Sequence, residues 1–360
     1  MASYERIADL PLEIEEYELE GLEFSMPGTD FERLTTMIRL RGGGAEGIGE
    51  DVTYDTVDHI ALQGEGASLE LAGKHTIASF SELLDGLDLF GTSPVREISR
   101  SYRRWAFESS ALDLALRQAE TSLAAVLARE PKRVNFVVSM RLTPPGSEQV
   151  PTIEPIRRRL ELYPNLHFKL DPTNDWSDEL IEQLVETGAV DSLDLKGQYK
   201  GTPVDVDTDP ELYRKLVEAF PHAWLEDPDI NEQTRPILEP VSERITWDAI
   251  IHSVADIESL PWAPRMVNIK PSRFGPLREL FAGYDHCQAN GIGAYGGGQW
   301  ELGPGRGQIQ YLASLFHPDT PNDVAPSGYN THGTEPGLRS SPLDPDPSET
   351  GFRWGGWTER

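Results

Sequence analysis

Five short apolar runs in the second half of the chain each end in a single charged residue. They are LHFKLD with Lys169, SLDLKG with Asp194, AWLEDP with Glu226, ITWDAI with Asp248 and MVNIKP with Lys270. The steps between them are 194 − 169 = 25, 226 − 194 = 32, 248 − 226 = 22 and 270 − 248 = 22 residues. Eight strand–helix units of a (β/α) barrel take about 250 residues, so each step is roughly one unit. Charges at the carboxyl ends of successive barrel strands meet at one mouth. Three acids between two lysines there predict a divalent cation flanked by proton carriers.

The surrounding texture fits a barrel. From Val134 the run VNFVVSMRL is almost continuously apolar, as expected for a strand covered on both faces. Strand-like and helix-like segments then alternate as far as GQIQYLASLF, which predicts a parallel sheet with crossover helices. The first part of the chain reads differently. LEIEEYELEG, RLTTMIRLRG and AEGIGEDVTY read as three strands within residues 12–54, joined by SMPGTDFE and the glycine turn RGGGAEG. Such short links predict an antiparallel meander. In WAFESSALDLALRQAETSLAAVLA, Ala111, Leu112, Ala115, Leu116, Ala119 and Leu123 recur at three- and four-residue steps and give one apolar helical face.

Composition narrows the function classes. At 360 residues and 38% hydrophobic the chain can bury a large core. A net charge of −28 disfavours nucleic acid and anionic membrane as partners. Cys287 is the single cysteine, so no internal disulfide forms and a reducing cytoplasm is the expectation. The opening MASYERIADLPLEIEEY has no apolar core of signal-peptide length, and no run of about 18 apolar residues occurs.

The N-terminal strands, the WAFESSALDLAL helix, WLEDP, VNIKPSRFGPL and GIGAYGGGQWELGPGRG together resemble the enolase superfamily over about residues 12–320. The likeness is greatest to the muconate lactonising enzyme and o-succinylbenzoate synthase branch. The resemblance implies an α/β fold, a modified TIM barrel (β/α)7β with an N-terminal α+β capping domain. The domains expected are 1–130 for the cap, 131–320 for the barrel and 321–360 for a Pro/Gly-rich segment. Phe352, Trp354 and Trp357 predict that this last segment docks in part on the body. The resemblance also implies Mg²⁺ held by an acid from each of three successive strands, and a proton abstracted alpha to a carboxylate with the enediolate stabilised by the metal. By motif, Asp194, Glu226 and Asp248 match the ligands and Lys270 matches the sixth-strand lysine. A carbon acid beside a carboxylate is very weak, so a hard cation with oxygen ligands suits the chemistry. A lysine serves as base where nearby positive charge or desolvation lowers its pKa.

One stretch departs from the family pattern. Where the superfamily has Lys-x-Lys, this chain has Lys169-Leu170-Asp171, and where it has Asp-x-Asn, this chain has Asp194-Leu195-Lys196. Residues two apart on a strand share a face, so an acid and a lysine have exchanged places across neighbouring strands. Three readings stay open: Asp171 and Lys196 form an ion pair; the second catalytic lysine has moved to Lys196, oriented by Asp171; or the site has decayed. The departure argues against a standard two-lysine racemase and leaves a one-base, dehydratase-type lyase as the leading expectation. A racemase, epimerase or cycloisomerase is the first alternative, and a non-catalytic ligand-binding protein the second. The substrate expected is a small carboxylate, and a homo-oligomer is open.

Two glycine patterns complete the reading. Gly42-x-Gly44-x-x-Gly47 lies between two short strands and predicts a hairpin turn rather than a dinucleotide site. Gly291-x-Gly293-x-x-Gly296, followed by Gly297, predicts a seventh strand end where substrate approaches the backbone. Gly296, Gly297 and Tyr295, with Glu301, are expected near the mouth. Met26, Phe31 and Tyr54 are expected to contact the distal part of a substrate from the capping loops.

Overall fold

The structure is a computed structural model that describes residues 2–26, 32–144, 149–202, 204–331 and 333–357. Phe31 therefore lies outside the described residues. The N-terminal part carries strands β1 (Pro11–Ile14), β2 (Glu16–Ser25), β3 (Glu32–Gly42), β4 (Ala45–Asp51) and β5 (Gly73–Thr76). Its helices are α1 (Thr56–Glu65), α2 (Ile77–Asp85), α3 (Ser99–Gln118) and α4 (Leu123–Leu127). Strands β2, β3 and β4 form the antiparallel meander, and β1 pairs with β5. Gly43 and Gly44, at φ 56° and 75°, make the two-residue turn between β3 and β4, which suits left-handed glycine.

Two features depart from the sequence expectation. The first predicted strand is two strands, because the chain changes partner at Glu15, and β1 and β2 serve different sheets. The long predicted helix ends at Gln118, and a new one starts at Leu123 with the Ser122 hydroxyl accepting the Ala125 N–H. A serine N-cap competes with helix continuation in this way. Helix α3 lies very close to β4. A Cβ on Gly47 would stand 2.2 Å from the Ser110 carbonyl oxygen, and one on Gly49 2.1 Å from that of Ala106. Only glycine permits this approach.

The barrel strands are β6 (Val137–Met140), β7 (His167–Leu170), β8 (Val190–Asp194), β9 (Trp224–Glu226), β10 (Ile245–Thr246), β11 (Met266–Ile269) and β12 (Gly293–Gly296). The first five pair in parallel in chain order, and β11 pairs in parallel with β12. The Asn268 N–H donates to the Trp247 carbonyl at 2.9 Å and joins the two sheets. The ring closes through residues 322–323: Asn322 bridges Phe136, and Asp323 bridges Gly297. Between the strands run α5 (Glu154–Leu162), α6 (Asp178–Thr187), α7 (Pro210–Ala219), α8 (Arg235–Leu238), α9 (Val254–Glu258), α10 (Pro271–Phe274) and α11 (Leu277–Asn290), and α12 (Pro304–Phe316) follows β12. The longer ones present an apolar stripe to the ring, for example Leu212, Tyr213 and Leu216 of α7.

The final segment crosses α3. Phe352 and Trp354 are buried, and Arg353 pairs with the buried Asp113 at 2.8 Å. Among the described residues no helix is long and apolar enough to cross a membrane.

Candidate active site

The five charged strand ends converge at one end of the ring, where Lys169, Asp194, Glu226, Asp248 and Lys270 are all buried. The Lys169 ammonium sits on Glu226 and lies 3.4 Å from Asp194 and 3.5 Å from Asp323. Lys270 Nζ donates to Asp248 Oδ2 at 2.8 Å. The other Asp248 oxygen accepts from Arg273 at 3.0 Å, and the Tyr199 hydroxyl donates to Oδ2 at 3.1 Å. The Tyr295 hydroxyl donates to Glu226 Oε2.

The exchanged pair is in place as well. Lys196 Nζ touches Asp194 Oδ2 and stands 3.4 Å from Asp171 Oδ1. It is therefore an ion pair with both acids, its own strand neighbour and the acid across the ladder. Lys196 has φ 54°, a left-handed conformation that turns its side chain back over Asp194.

Among the described residues, Asp194, Glu226 and Asp227 bring one oxygen each to within 4.8 Å of one another. Asp248, the third acid expected as a ligand, is not one of this group, and Asp227 is. Two successive strand residues ordinarily face opposite ways, but φ 48° at Asp227 swings its carboxylate to the side of Glu226. There it accepts the backbone N–H groups of Asp248 at 2.9 Å and Ala249 at 2.8 Å. Asp248 instead faces the wall formed by Lys270, Arg273 and Tyr199.

Electrostatics follow this partition. Burial works against the charge on Asp194, but Lys196 and Lys169 outweigh it and hold the carboxyl at about 2. Asp248 is likewise buried yet held well below the usual carboxylate range by Arg273 and Lys270. Among the described residues no cation pairs with Asp227. Burial, with Asp248 and Asp194 nearby, raises it to about 7. Glu226 is pushed up by burial and by its acidic neighbours, against the pull of Lys169.

The expected lining residues divide. Tyr295 and Gly297 face into the ring. A Cβ on Gly297 would stand 2.5 Å from Lys270 Cε and 2.8 Å from Asn268 Nδ2. Gly296 faces the other way, where a Cβ would meet His317 at 2.9 Å, because alternate strand residues take opposite faces. Met26 is buried just past β2. Tyr54 is 41% exposed, with the Arg33 guanidinium 4.8 Å from its ring centroid. Glu301 pairs with Arg306 at 2.9 Å. Asp227, Tyr199, Arg273, Asp323 and Asn268 were not anticipated. Asn268 is buried two residues before Lys270, and neither amide atom has a hydrogen-bond partner among the described residues.

A closed parallel ring with an antiparallel cap, and acids and lysines at its carboxyl mouth, defines the enolase-superfamily fold. The chain belongs to the family described as Domain of unknown function (DUF8230): residues 130–331 match its C-terminal domain and residues 5–126 its N-terminal domain. By sequence it is 27% identical over 345 residues to an N-succinylamino acid racemase from Amycolatopsis sp, covering 90% of this chain and 88% of that one. By structure it is similar to a dipeptide epimerase from Methylococcus capsulatus complexed with Mg ion, with a TM-score of 0.63, 19% identity and coverage of 86% and 89%. It is also similar to the muconate lactonizing enzyme from Pseudomonas putida, with a TM-score of 0.63, 18% identity and coverage of 94% and 96%. Its fold is that of the enolase superfamily, shared with these two structures.

Proposed function

We propose that the protein is a Mg²⁺-dependent enzyme of lyase type that removes a proton alpha to the carboxylate of a small substrate, with Lys270 as the amine that carries the proton. The observation behind this reading is the Lys270–Asp248 contact of 2.8 Å on one wall, beside the buried oxygen cluster of Asp194, Glu226 and Asp227. The donor set suits Mg²⁺, since it consists of hard carboxylate oxygens. Asp194 and Glu226 would hold the ion, with Asp227 or Asp248 as the third oxygen source. The network gathers six carboxylates (Asp171, Asp194, Glu226, Asp227, Asp248, Asp323) with five basic side chains (Arg141, Lys169, Lys196, Lys270, Arg273).

When bound, Mg²⁺ supplies positive charge where the substrate carboxylate gains electron density. The chain's own groups do the rest. Asp248, fixed by Arg273 and Tyr199, aims Lys270 Nζ. In its neutral form that nitrogen takes the alpha proton, and it then returns a proton to the departing hydroxyl, which leaves as water. Lys169 has three carboxylates on its ammonium and serves to hold them in place. Gly297 leaves room for the Lys270 stem, and the Asn268 amide offers an unsatisfied partner to a polar group in the ring.

A second reading, an isomerase, is favoured by two observations. Lys196 brings a second amine to Asp171, the position of the missing strand-two lysine. The racemase at 27% identity supports it too. The test is incubation with a panel of small carboxylates in D₂O with Mg²⁺. Alpha-proton exchange in the wild type, lost in Lys270→Met, is the expected result. Exchange with elimination of water supports the lyase, and exchange with inversion the isomerase. Exchange untouched by Lys270→Met refutes the role of Lys270.

A further inference from the structure

Lys196 holds a conformation that costs energy. Left-handed φ on a non-glycine residue is sterically unfavourable and persists only where the surroundings enforce it. Asparagine, the residue in the superfamily pattern, tolerates that region better than lysine does. The side chain placed there closes back on its own strand. The Lys196 N–H donates to Asp194 Oδ1 at 3.2 Å while Nζ contacts Oδ2, so both Asp194 oxygens are engaged by one residue. Asp171 Oδ1, 3.4 Å from the same ammonium, is buried and has no hydrogen bond among the described residues. Its other oxygen is 4.0 Å from Arg141. The ammonium therefore has a partner in hand and a second acceptor adjacent and unsatisfied.

We infer that Lys196 is a tethered cation that competes with a divalent metal ion for Asp194 and moves to Asp171 when the ion binds, so that the Lys196–Asp171 pair sets the metal affinity of the site. This rests on the reading of Asp194 as a metal ligand. Rotation about the outer bonds of the lysine side chain suffices, because both acceptors already lie within reach. The move exchanges one ion pair for another in a buried setting, where removing a partner outright would leave an uncompensated charge.

The test is calorimetric titration of the full chain with MgCl₂, comparing wild type with Lys196→Gln, Lys196→Asn, Asp171→Asn and Arg141→Gln. Both Lys196 variants are expected to bind Mg²⁺ at least about tenfold more tightly, about 1.4 kcal/mol. Arg141→Gln removes the same charge from the far side of Asp171 and is expected to stay within about threefold. Asp171→Asn removes the negative charge of the second acceptor and is expected to weaken binding about fivefold or more. A crystal of the wild type grown with Mg²⁺ supplies a readout independent of any variant: Lys196 Nζ is expected within hydrogen-bond distance of Asp171 and clear of Asp194. If wild type binds Mg²⁺ and the Lys196 variants bind it no better, or Arg141→Gln tightens it as much, the competition is refuted and the metal reading stands. If no variant and no wild type binds Mg²⁺, the metal reading itself fails.

Discussion

Glu50 accepts the N–H of Gly303 with both carboxylate oxygens at 3.0 Å each, joining the last strand of the N-terminal meander to the start of the helix that follows the seventh barrel strand. The same carboxylate accepts from Leu302 at 2.7 Å and Gly305 at 2.9 Å. An acid on the first turn of a helix satisfies donors that the helix leaves open and matches its dipole. Glu50→Ala is expected to destabilise the protein by about 2–4 kcal/mol, since several buried N–H groups lose their acceptor. Glu50→Gln, which keeps one carbonyl oxygen, is expected to cost less. Urea denaturation of the two variants checks the order.

The docked C-terminal segment gives a second expectation. Arg353 and Asp113 are both fully buried, and Asp113 also accepts the N–H groups of Ile48 and Phe352. Arg353→Ala leaves that carboxylate without its cation and is expected to cost about 3–5 kcal/mol. Adding Asp113→Asn is expected to recover part of the loss, measured as a coupling energy in a double-mutant cycle.

His317 governs part of the pH dependence. Asn322 Oδ1 can only accept, so His317 Nδ1 donates to it at 2.6 Å, and Nε2 of the neutral ring accepts from Tyr284. Burial lowers the ring from 6.5 to about 4. Between those values the unfolded chain binds more protons, so stability rises with pH across that window. The contribution is complete above about pH 6.5 and is lost as pH falls through 4. Wild type is expected to lose about 2–3 kcal/mol more than His317→Gln on going from pH 7 to pH 4.5, read by urea denaturation.

Gly297→Ala is expected to act on chemistry and on folding together. The new Cβ would meet Lys270 Cε at 2.5 Å and the buried Asn268 Nδ2 at 2.8 Å. The amine then leaves its seat on Asp248, which breaks a buried ion pair. The expected outcome is a loss of alpha-proton exchange of about 100-fold, the scale of a misplaced catalytic group, with a lowered melting temperature.

Much of this site was legible because a charged residue that ends an apolar strand can hardly face anything but the mouth. Lys169, Asp194, Glu226, Asp248 and Lys270 carried that signal individually. Asp227 was missed because strand alternation points it outward, and only its left-handed φ brings it in. Its adjacency to Glu226 was the available hint. Tyr199 and Arg273 come from segments beyond strand ends, where periodicity says nothing about direction. Alternation would have separated Gly296 from Tyr295 and Gly297, which share the inner face. The closing stave at residues 322–323 had no strand pattern, since two residues in a proline-rich stretch are too few to show a period.

In the proposed site, acid oxygens from neighbouring strand ends share one divalent ion. Anomalous diffraction from a crystal grown with Mn²⁺ locates that ion. One strong peak touching Asp194 and Glu226 is expected, and its third protein neighbour decides between Asp227 and Asp248. A crystal in which Mn²⁺ is absent from that cluster, with Lys169 and Lys196 still seated on Glu226 and Asp194, would contradict the proposed site.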